Sequence, residues 1–211
     1  NQMNDCLFQR GPDESGTYVD GPTGLANRRL SIVGLDSGRQ PIFNEDESIA
    51  VVFNGEIYNY EPLRENLQEQ GHRFSTDTDT EVLVHLYEEQ GDTFIDELDG
   101  MFSFALWDAS HERLILARDP IGIKPLYLGV ESNNRVAFAS ELSALFPLDF
   151  DFGGLDRSAI AEYFAFGYVP APKSAFQNVS KLLPGEFAVV SNSEIDRSMF
   201  YTPNIDRVGY D

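Results

Sequence analysis

The spacing of apolar residues predicts two amphipathic helices in the first half of the chain. One apolar-periodic stretch carries Pro62 near its start and is followed by Gly71, so we predict a helix from about Glu61 to Gln70. The next apolar stripe recurs every three or four residues and ends before a glycine, which predicts a second helix over about residues 78–90.

Short apolar runs between turn residues predict strands in the rest of the chain. Residues 49–53 form a buried apolar run, and Leu30, Ile32 and Val33 predict a short strand after the turn-rich sequence RGPDESGTYVDGPTG. From Met101 onward, four β-type runs predict an antiparallel sheet. The remaining predicted elements are helices at about 141–146 and 156–165 and a strand near 186–190. This mixture predicts an α+β domain.

The composition describes a single packed domain with an acidic surface. The chain has 211 residues, of which 42% are hydrophobic, enough for one core. It carries 35 acidic and 15 basic residues, a net charge of -20, so nucleic acid is a poor partner and a salt-adapted surface is expected. No apolar run approaches the roughly eighteen residues of a membrane span, and no signal segment opens the sequence. We therefore predict no membrane association and a cytoplasmic location.

Few residues offer chemistry by their spacing alone. The three histidines, His72, His85 and His111, are far apart in the sequence with no second ligand at helical spacing, so no metal site is expected. Cys6 falls on the apolar side of a predicted helix end in residues 1–8, so we interpret it as a buried structural thiol.

The pair Asn54-Gly55, which follows the predicted strand 49–53, allows two interpretations. Asn-Gly is typical of a tight hairpin turn, but no matching strand follows before Pro62. The alternative is an oxyanion hole made by the Asn54 amide and the Gly55 N–H. Residues 152–158, FGGLDRS, have only a superficial likeness to a phosphate-binding loop, and Asp156 within them is interpreted as a helix N-cap.

A series of short motifs runs in order along nearly the whole chain. They are RGPD at 10–13, RRLSIV at 28–33, VFNGEIYNY at 52–60, TDTEV at 78–82, GMFSFALWD at 100–108, RDPIGIKPLY at 118–127, ASEL at 139–142, GYVPAP at 167–172 and KLLPGE at 181–186. Together they resemble the class II glutamine amidotransferase domain, in the variant found in glutamine-hydrolysing asparagine synthetases.

The resemblance implies a fold, a reaction and partners. The fold is that of an N-terminal-nucleophile hydrolase, with two stacked antiparallel sheets between helical layers (α-β-β-α). Residues 1–200 correspond to the amidotransferase domain and 201–211 to the start of a linker toward a synthetase domain. The reaction hydrolyses L-glutamine to glutamate and passes ammonia to that synthetase domain, and a homodimer is one option. No cofactor is expected in this domain, whereas the synthetase domain would use ATP and Mg²⁺.

The same resemblance implies a role for each candidate site residue. Arg29 would clamp the α-carboxylate of glutamine with its forked guanidinium. Glu56 and Asp79 would hold the α-ammonium group, and Asp79 can also cap its helix. Asn54 and the Gly55 N–H would receive the oxyanion. The other implied positions are the backbone around Leu30, Ile32 and Val33 along the substrate slot, and Arg10 and Asn59 as supports of the nucleophile's loop.

The nucleophile of the resembled family is a cysteine at the N-terminus, whose own α-amine acts as the base. This sequence starts with Asn1, and Cys6 lies too close to the RGPD motif to correspond, so we expect the chain as printed to lack the nucleophile and to be inactive alone. Two alternatives stay open. One is a nucleophile-free domain that binds an amino acid or a partner protein, and the other is an amidotransferase that supplies a different acceptor.

Overall fold

The computed structural model describes residues 2–30, 38–192 and 194–204. Its helices are α1 (Gln2–Cys6), α2 (Tyr60–Gln70), α3 (Val82–Gln90) and α4 (Arg157–Phe166), with 3-10 turns at Asp79–Glu81, Gly91–Glu97 and Leu142–Leu145. Its strands are β1 (Glu14–Asp20), β2 (Thr23–Arg29), β3 (Ile42–Phe43), β4 (Ile49–Ile57), β5 (Gly100–Asp108), β6 (Arg113–Arg118), β7 (Tyr127–Val130), β8 (Val136–Ala139), β9 (Val179–Lys181), β10 (Glu186–Ser191) and β11 (Glu194–Met199). Within these described ranges, no helix has the length and apolar character needed to cross a membrane.

A six-stranded antiparallel sheet, in the order β11-β10-β6-β5-β4-β3, forms the centre of the fold. Strands β4 and β5 pair along the whole of both strands. Alternate residues of β4 enter two different cores, as Val51 and Val52 show. Because both faces of the sheet are covered here, residues 49–53 are all buried and show no polar alternation.

Helices and smaller sheets cover the two faces of the central sheet. On one face, α2 and α3 pack through a core that includes Leu67 and Leu86. On the other face lie the hairpin β1-β2 and the three-stranded sheet β8-β7-β9, joined to the central sheet through a core that includes Leu25 and Leu128. The 3-10 turn Leu142–Leu145 and α1 pack together beyond the three-stranded sheet. The layers therefore follow an α-β-β-α order.

Most predicted elements are confirmed, with small shifts in their bounds. The predicted second helix is divided into the 3-10 turn Asp79–Glu81 and α3. Asp156 caps α4 as predicted, since its Oδ1 accepts the N–H groups of Ser158 and Ala159 at 2.8 and 3.1 Å. The helix predicted at 141–146 is the 3-10 turn Leu142–Leu145.

The turn-rich sequence near the start of the chain forms a hairpin, which the sequence analysis missed. Strands β1 and β2 pair along seven residues each, and Asp20 stands opposite Thr23. Gly21 and Pro22 form the connecting turn, and Gly21 adopts a φ of +51°. Asp-Gly is a strong hairpin signal, but the other glycines and prolines around it obscure the strand pattern.

Cys6 is exposed, which contradicts the prediction of a buried structural thiol. Helix α1 is only five residues long, so it presents little more than one turn to the domain. Its buried contact is polar, because Asn4 is 4% exposed and its Nδ2 donates to the Asn27 carbonyl oxygen at 3.1 Å. Met3 and Leu7 are half-buried against the core, and Cys6 is left on the outer side of the helix.

Two of the three histidines lie close together in the structure. The ring centroids of His72 and His85 are 4.7 Å apart, because His72, the second residue after the end of α2, lies against α3. The separation of these two histidines in the sequence therefore does not exclude a shared metal site, and the prediction based on it is wrong for this pair. His111 lies elsewhere, with its Nδ1 2.7 Å from an Asp108 carboxylate oxygen.

Candidate active site

The candidate site lies at the C-terminal end of β4. Asn54 and Gly55 pair with β5, so they belong to the sheet and not to a hairpin turn. A Cβ on Gly55 would lie 2.1 Å from the Met101 carbonyl oxygen, so the close approach of β5 requires glycine at this position. Asn54 is half-buried, whereas Gly55 and Glu56 are exposed, which leaves this strand end open to a ligand.

Two side-chain amides hold β4 immediately before Asn54. The Phe53 N–H donates to Gln40 Oε1 at 2.7 Å, and the Phe53 carbonyl oxygen accepts from Asn27 Nδ2 at 3.3 Å. Asn27 belongs to β2, so the second bond ties the strand that ends at Arg29 to the strand that carries Asn54. Neither amide is identified by the sequence, because each acts through the β4 backbone and no motif marks such a role.

Arg29, the residue predicted to bind the α-carboxylate of the substrate, is the last residue of β2. Its side chain is 19% exposed, and its Nη1 lies 3.4 Å from Oε2 of Glu14, which stands opposite on β1. The guanidinium also lies against Gly38, where an added Cβ would be 2.5 Å from Nη1. A neighbouring strand and a glycine therefore restrict the position of the guanidinium.

The residues predicted to line the substrate slot are only partly described. Strand β2 ends at Arg29, so the strand predicted to include Leu30 does not extend over that residue. Leu30 is 52% exposed, which leaves its backbone accessible. Ile32 and Val33 lie outside the described residues.

Asp79 and Glu56 form a pair of carboxyl groups beside the strand end. Asp79 Oδ2 accepts the N–H of Ile57, the last residue of β4, at 2.8 Å. Burial raises the pKa of Asp79 above its ordinary value, and the negative charge of Glu56 raises it further, although the bonds from Ile57 and Thr80 oppose the shift. A positive group placed between the two carboxyls would relieve that repulsion.

Arg10 and Asn59 make structural contacts. Asn59 Nδ2 donates to the Glu97 carbonyl oxygen at 2.8 Å, and its Oδ1 accepts the Asp99 N–H at 3.0 Å, which joins the β4–α2 junction to the entry of β5. Arg10 Nη1 pairs with Glu141 Oε1 at 3.0 Å, and its side chain is 55% exposed. Their support of a nucleophile's loop stays a prediction.

The site groups together match one kind of ligand. Asn54, Gly55 and Glu56 are consecutive on β4, Asp79 is bonded to the same strand, and Arg29 is tied to it through β2. A guanidinium, two carboxyls and two neutral donors complement a free amino acid whose side chain carries a carbonyl group. The class defined by this fold is an α+β domain of stacked antiparallel sheets, and these residues form its candidate amino-acid site.

Comparison with known proteins identifies the family. The chain belongs to the glutamine amidotransferase domain family, which matches residues 1–201. It is 40% identical over 208 residues to asparagine synthetase (glutamine-hydrolyzing) 1 of Bacillus subtilis (strain 168), covering 98% of this chain and 33% of that protein. It is 53% identical over 144 residues to asparagine synthetase (glutamine-hydrolyzing) 3 of Arabidopsis thaliana, covering 68% of this chain and 25% of that protein.

A solved structure shares the fold. The glutamine phosphoribosylpyrophosphate amidotransferase from B. subtilis superposes with a TM-score of 0.67 at 20% identity, over 96% of this chain and 46% of that one. The predicted N-terminal-nucleophile hydrolase architecture is thereby confirmed. The chain spans 33% and 25% of the lengths of the two asparagine synthetases named above.

Proposed function

We propose that this chain is the glutaminase domain of an asparagine synthetase-like enzyme, which hydrolyses L-glutamine to glutamate and releases ammonia. The observation that carries the proposal is the strand end Asn54-Gly55-Glu56, in which two neutral donors precede a carboxylate whose negative charge acts on Asp79. The names of the two relatives, both glutamine-hydrolyzing, support glutamine as the amino acid.

In this proposal, the charged groups bind the α-carbon end of glutamine. Arg29 donates to the α-carboxylate through its guanidinium, which is suited to two parallel hydrogen bonds. Glu56 and Asp79 accept from the α-ammonium group. Burial and the nearby Glu56 raise the pKa of Asp79, and a bound α-ammonium group would oppose that shift by favouring the charged carboxylates.

The neutral donors act at the other end of the substrate. A thiolate attacks the side-chain carbonyl carbon, and the electron pair of the C=O bond moves onto oxygen, where the Asn54 amide and the Gly55 N–H stabilise it. The amide nitrogen takes the proton that the cysteine's own α-amine removed from the thiol, the C–N bond breaks, and ammonia leaves. Water then adds to the thioester carbonyl, and the C–S bond breaks to give glutamate and the free thiol. Each such donor is worth about 10²–10³ in rate. We assign the thiolate to an N-terminal cysteine, as the family resemblance implies, and not to Cys6 on the exposed helix α1.

The test is a glutamate-release assay on the protein with its natural N-terminus. Arg29→Ala should raise KM for glutamine by about 10- to 100-fold, since it removes charged hydrogen bonds. Asn54→Ala should lower kcat by about 10²–10³. Matched controls are Arg135→Ala, which removes an exposed arginine that pairs with Glu131 and lies over the Phe150 ring, and Asn66→Ala on the outer side of α2.

Two results would contradict the proposal. One is the absence of glutamate release from the parent protein, and the other is a KM that Arg29→Ala changes no more than Arg135→Ala does. If glutamate is released but asparagine is not formed, the glutaminase assignment stands and the acceptor differs.

Helix α4 presents an aromatic surface that fits a role in ammonia delivery. Only Ala159 of this helix is buried, while Phe164, Phe166 and the following Tyr168 are 82%, 64% and 62% exposed. Exposed aromatic patches of this kind are typical of protein interfaces. Because the B. subtilis relative extends well beyond the 33% of its length that this chain matches, we propose that the ammonia-accepting part of such a protein covers α4.

A further inference from the structure

Two histidines and two glutamates converge on one point at the edge of the helical layer. His72 follows the end of α2, His85 and Glu88 lie on α3, and Glu45 lies in the turn between β3 and β4. One ligand atom from each of the four residues lies within 4.8 Å of all the others. Three segments that are distant in the sequence therefore meet at this cluster.

His85 is the member whose surroundings point to a missing ligand. Its side chain is 0% exposed, and among the residues that the structure describes neither ring nitrogen has a hydrogen-bond partner. A buried polar group without a partner is costly, so such groups normally bind another polar group, a water molecule or an ion. The Nδ1 atom of His85 faces the carboxylates of Glu45 and Glu88, at 3.3 and 3.9 Å.

The spacing of the four groups suits a tetrahedral metal ion. His72 Nδ1 lies 3.4 Å from Glu45 Oε1 and 3.8 Å from Glu88 Oε2, close to the separations found for His85. Ligands at about 2.0 Å from zinc in a tetrahedron are about 3.3 Å from one another. The ligand atoms, which lie within 4.8 Å of one another, would approach to about this separation when an ion binds.

Carboxylates lie behind both histidines on the outer side of the cluster. His72 Nε2 lies 2.9 Å from a carboxylate oxygen of Glu89, and His85 Nε2 lies 3.7 Å from the buried carboxylate of Glu81. A carboxylate behind the second nitrogen of a histidine is the usual support of a zinc ligand. Glu45 Oε1 also accepts the Arg73 N–H at 2.8 Å.

We propose that His72, His85, Glu45 and Glu88 bind one Zn²⁺ ion. Two imidazole nitrogens with two carboxylates are a ligand set that zinc accepts. The carboxylates are 36% and 37% exposed, which gives an ion a path to the buried His85. With four protein ligands the site is structural, and it would fasten the β3–β4 turn and the end of α2 to α3.

The experiment measures zinc content and thermal stability of the purified chain after EDTA treatment and reloading with zinc. We expect one zinc per chain by mass spectrometry of the metal, and a Tm about 5–10 °C higher at a zinc concentration about 100 times Kd. The variants His72→Gln and Glu45→Gln should lose both effects. They retain side-chain size and affect positions that are 10% and 36% exposed, so the fold should persist, as circular dichroism would verify.

The matched control is His111→Gln, which removes a histidine that is 72% exposed and lies beside Asp108. It should bind zinc as the unaltered chain does. A chain that retains no zinc and whose Tm does not respond to it would overturn the proposal. So would a zinc content that His72→Gln and Glu45→Gln leave unchanged, because the ion would then be bound elsewhere on the acidic surface.

Discussion

Replacement of Gly55 by alanine tests whether the candidate site depends on the close approach of β4 and β5. The added Cβ would lie 2.1 Å from the Met101 carbonyl oxygen and 2.7 Å from the Phe102 Cα. An ordinary contact between carbon and oxygen is about 3.3 Å, so the two strands must separate by about 1 Å at this point. Neither strand can move freely, because Phe53 and Phe102 are buried in the core beneath the helices.

The expected loss of stability follows from two terms. Overpacking in a rigid core costs about 1–3 kcal/mol, and a weakened ladder hydrogen bond costs about 1 kcal/mol more. The free energy of unfolding should therefore fall by about 2–4 kcal/mol. For a domain of this size that corresponds to a decrease in Tm of about 4–16 °C.

The assay is thermal unfolding followed by circular dichroism, with Gly24→Ala as the matched control. Gly24 also lies in a strand, and the nearest atom to an added Cβ there is the Tyr18 carbonyl oxygen at 3.9 Å, an ordinary contact. Gly24→Ala should leave Tm nearly unchanged. If the Tm of Gly55→Ala is within about 1 °C of that of Gly24→Ala, the close approach is not what requires glycine at this position.

Two further predictions concern Asp79 and α4. Burial and the charge of Glu56 raise the pKa of Asp79 above its ordinary value of 3.8. The free energy of unfolding should therefore fall as the pH rises from 3.8 through the raised pKa, because the carboxyl group ionises less readily in the folded state. Asp79→Asn should therefore raise Tm at pH 7 but not below pH 3.8, and a lower Tm at pH 7 would contradict this reasoning. The same variant should bind glutamine more weakly, as measured by calorimetry. If the ammonia-accepting part covers α4, hydrogen exchange of α4 should be slower in the full-length protein than in this chain, with α2 as the unchanged reference. Equal exchange of α4 in both would refute that contact.

The elements that the sequence predicts well are those whose starts and ends are marked by neighbouring residues in the chain. Helix α2 is marked by Pro62 near its start and by Gly71, which adopts a φ of +109° at its end. Asp156 marks the start of α4 by a bond that needs only the next three residues. Such signals act within one or two turns, and therefore they can be identified without knowledge of the tertiary structure.

The parts that could not be predicted depend on contacts between distant segments. Cys6 has the spacing of a core residue, but α1 is held through Asn4 and its bond to β2, so the thiol stays exposed. The supports of β4 at Gln40 and Asn27 are likewise visible only once the strands are placed together. The same is true of His72 and His85, whose separation in the sequence hides their contact.

The motif that extends from residue 118 to 127 has a structural reason for its sequence. Arg118 donates to three carbonyl oxygens, those of Lys124, Leu182 and Gly122, at 2.6–2.7 Å. Asp119, which is 0% exposed, accepts three backbone N–H groups of the following loop at 2.9–3.1 Å. Arg118 and Asp119 together bind the backbone of the loop that follows them, and a substitution of either would leave several polar atoms without partners. This motif therefore indicates the fold. The evidence for glutamine hydrolysis comes instead from the candidate site residues Arg29, Asn54, Glu56 and Asp79.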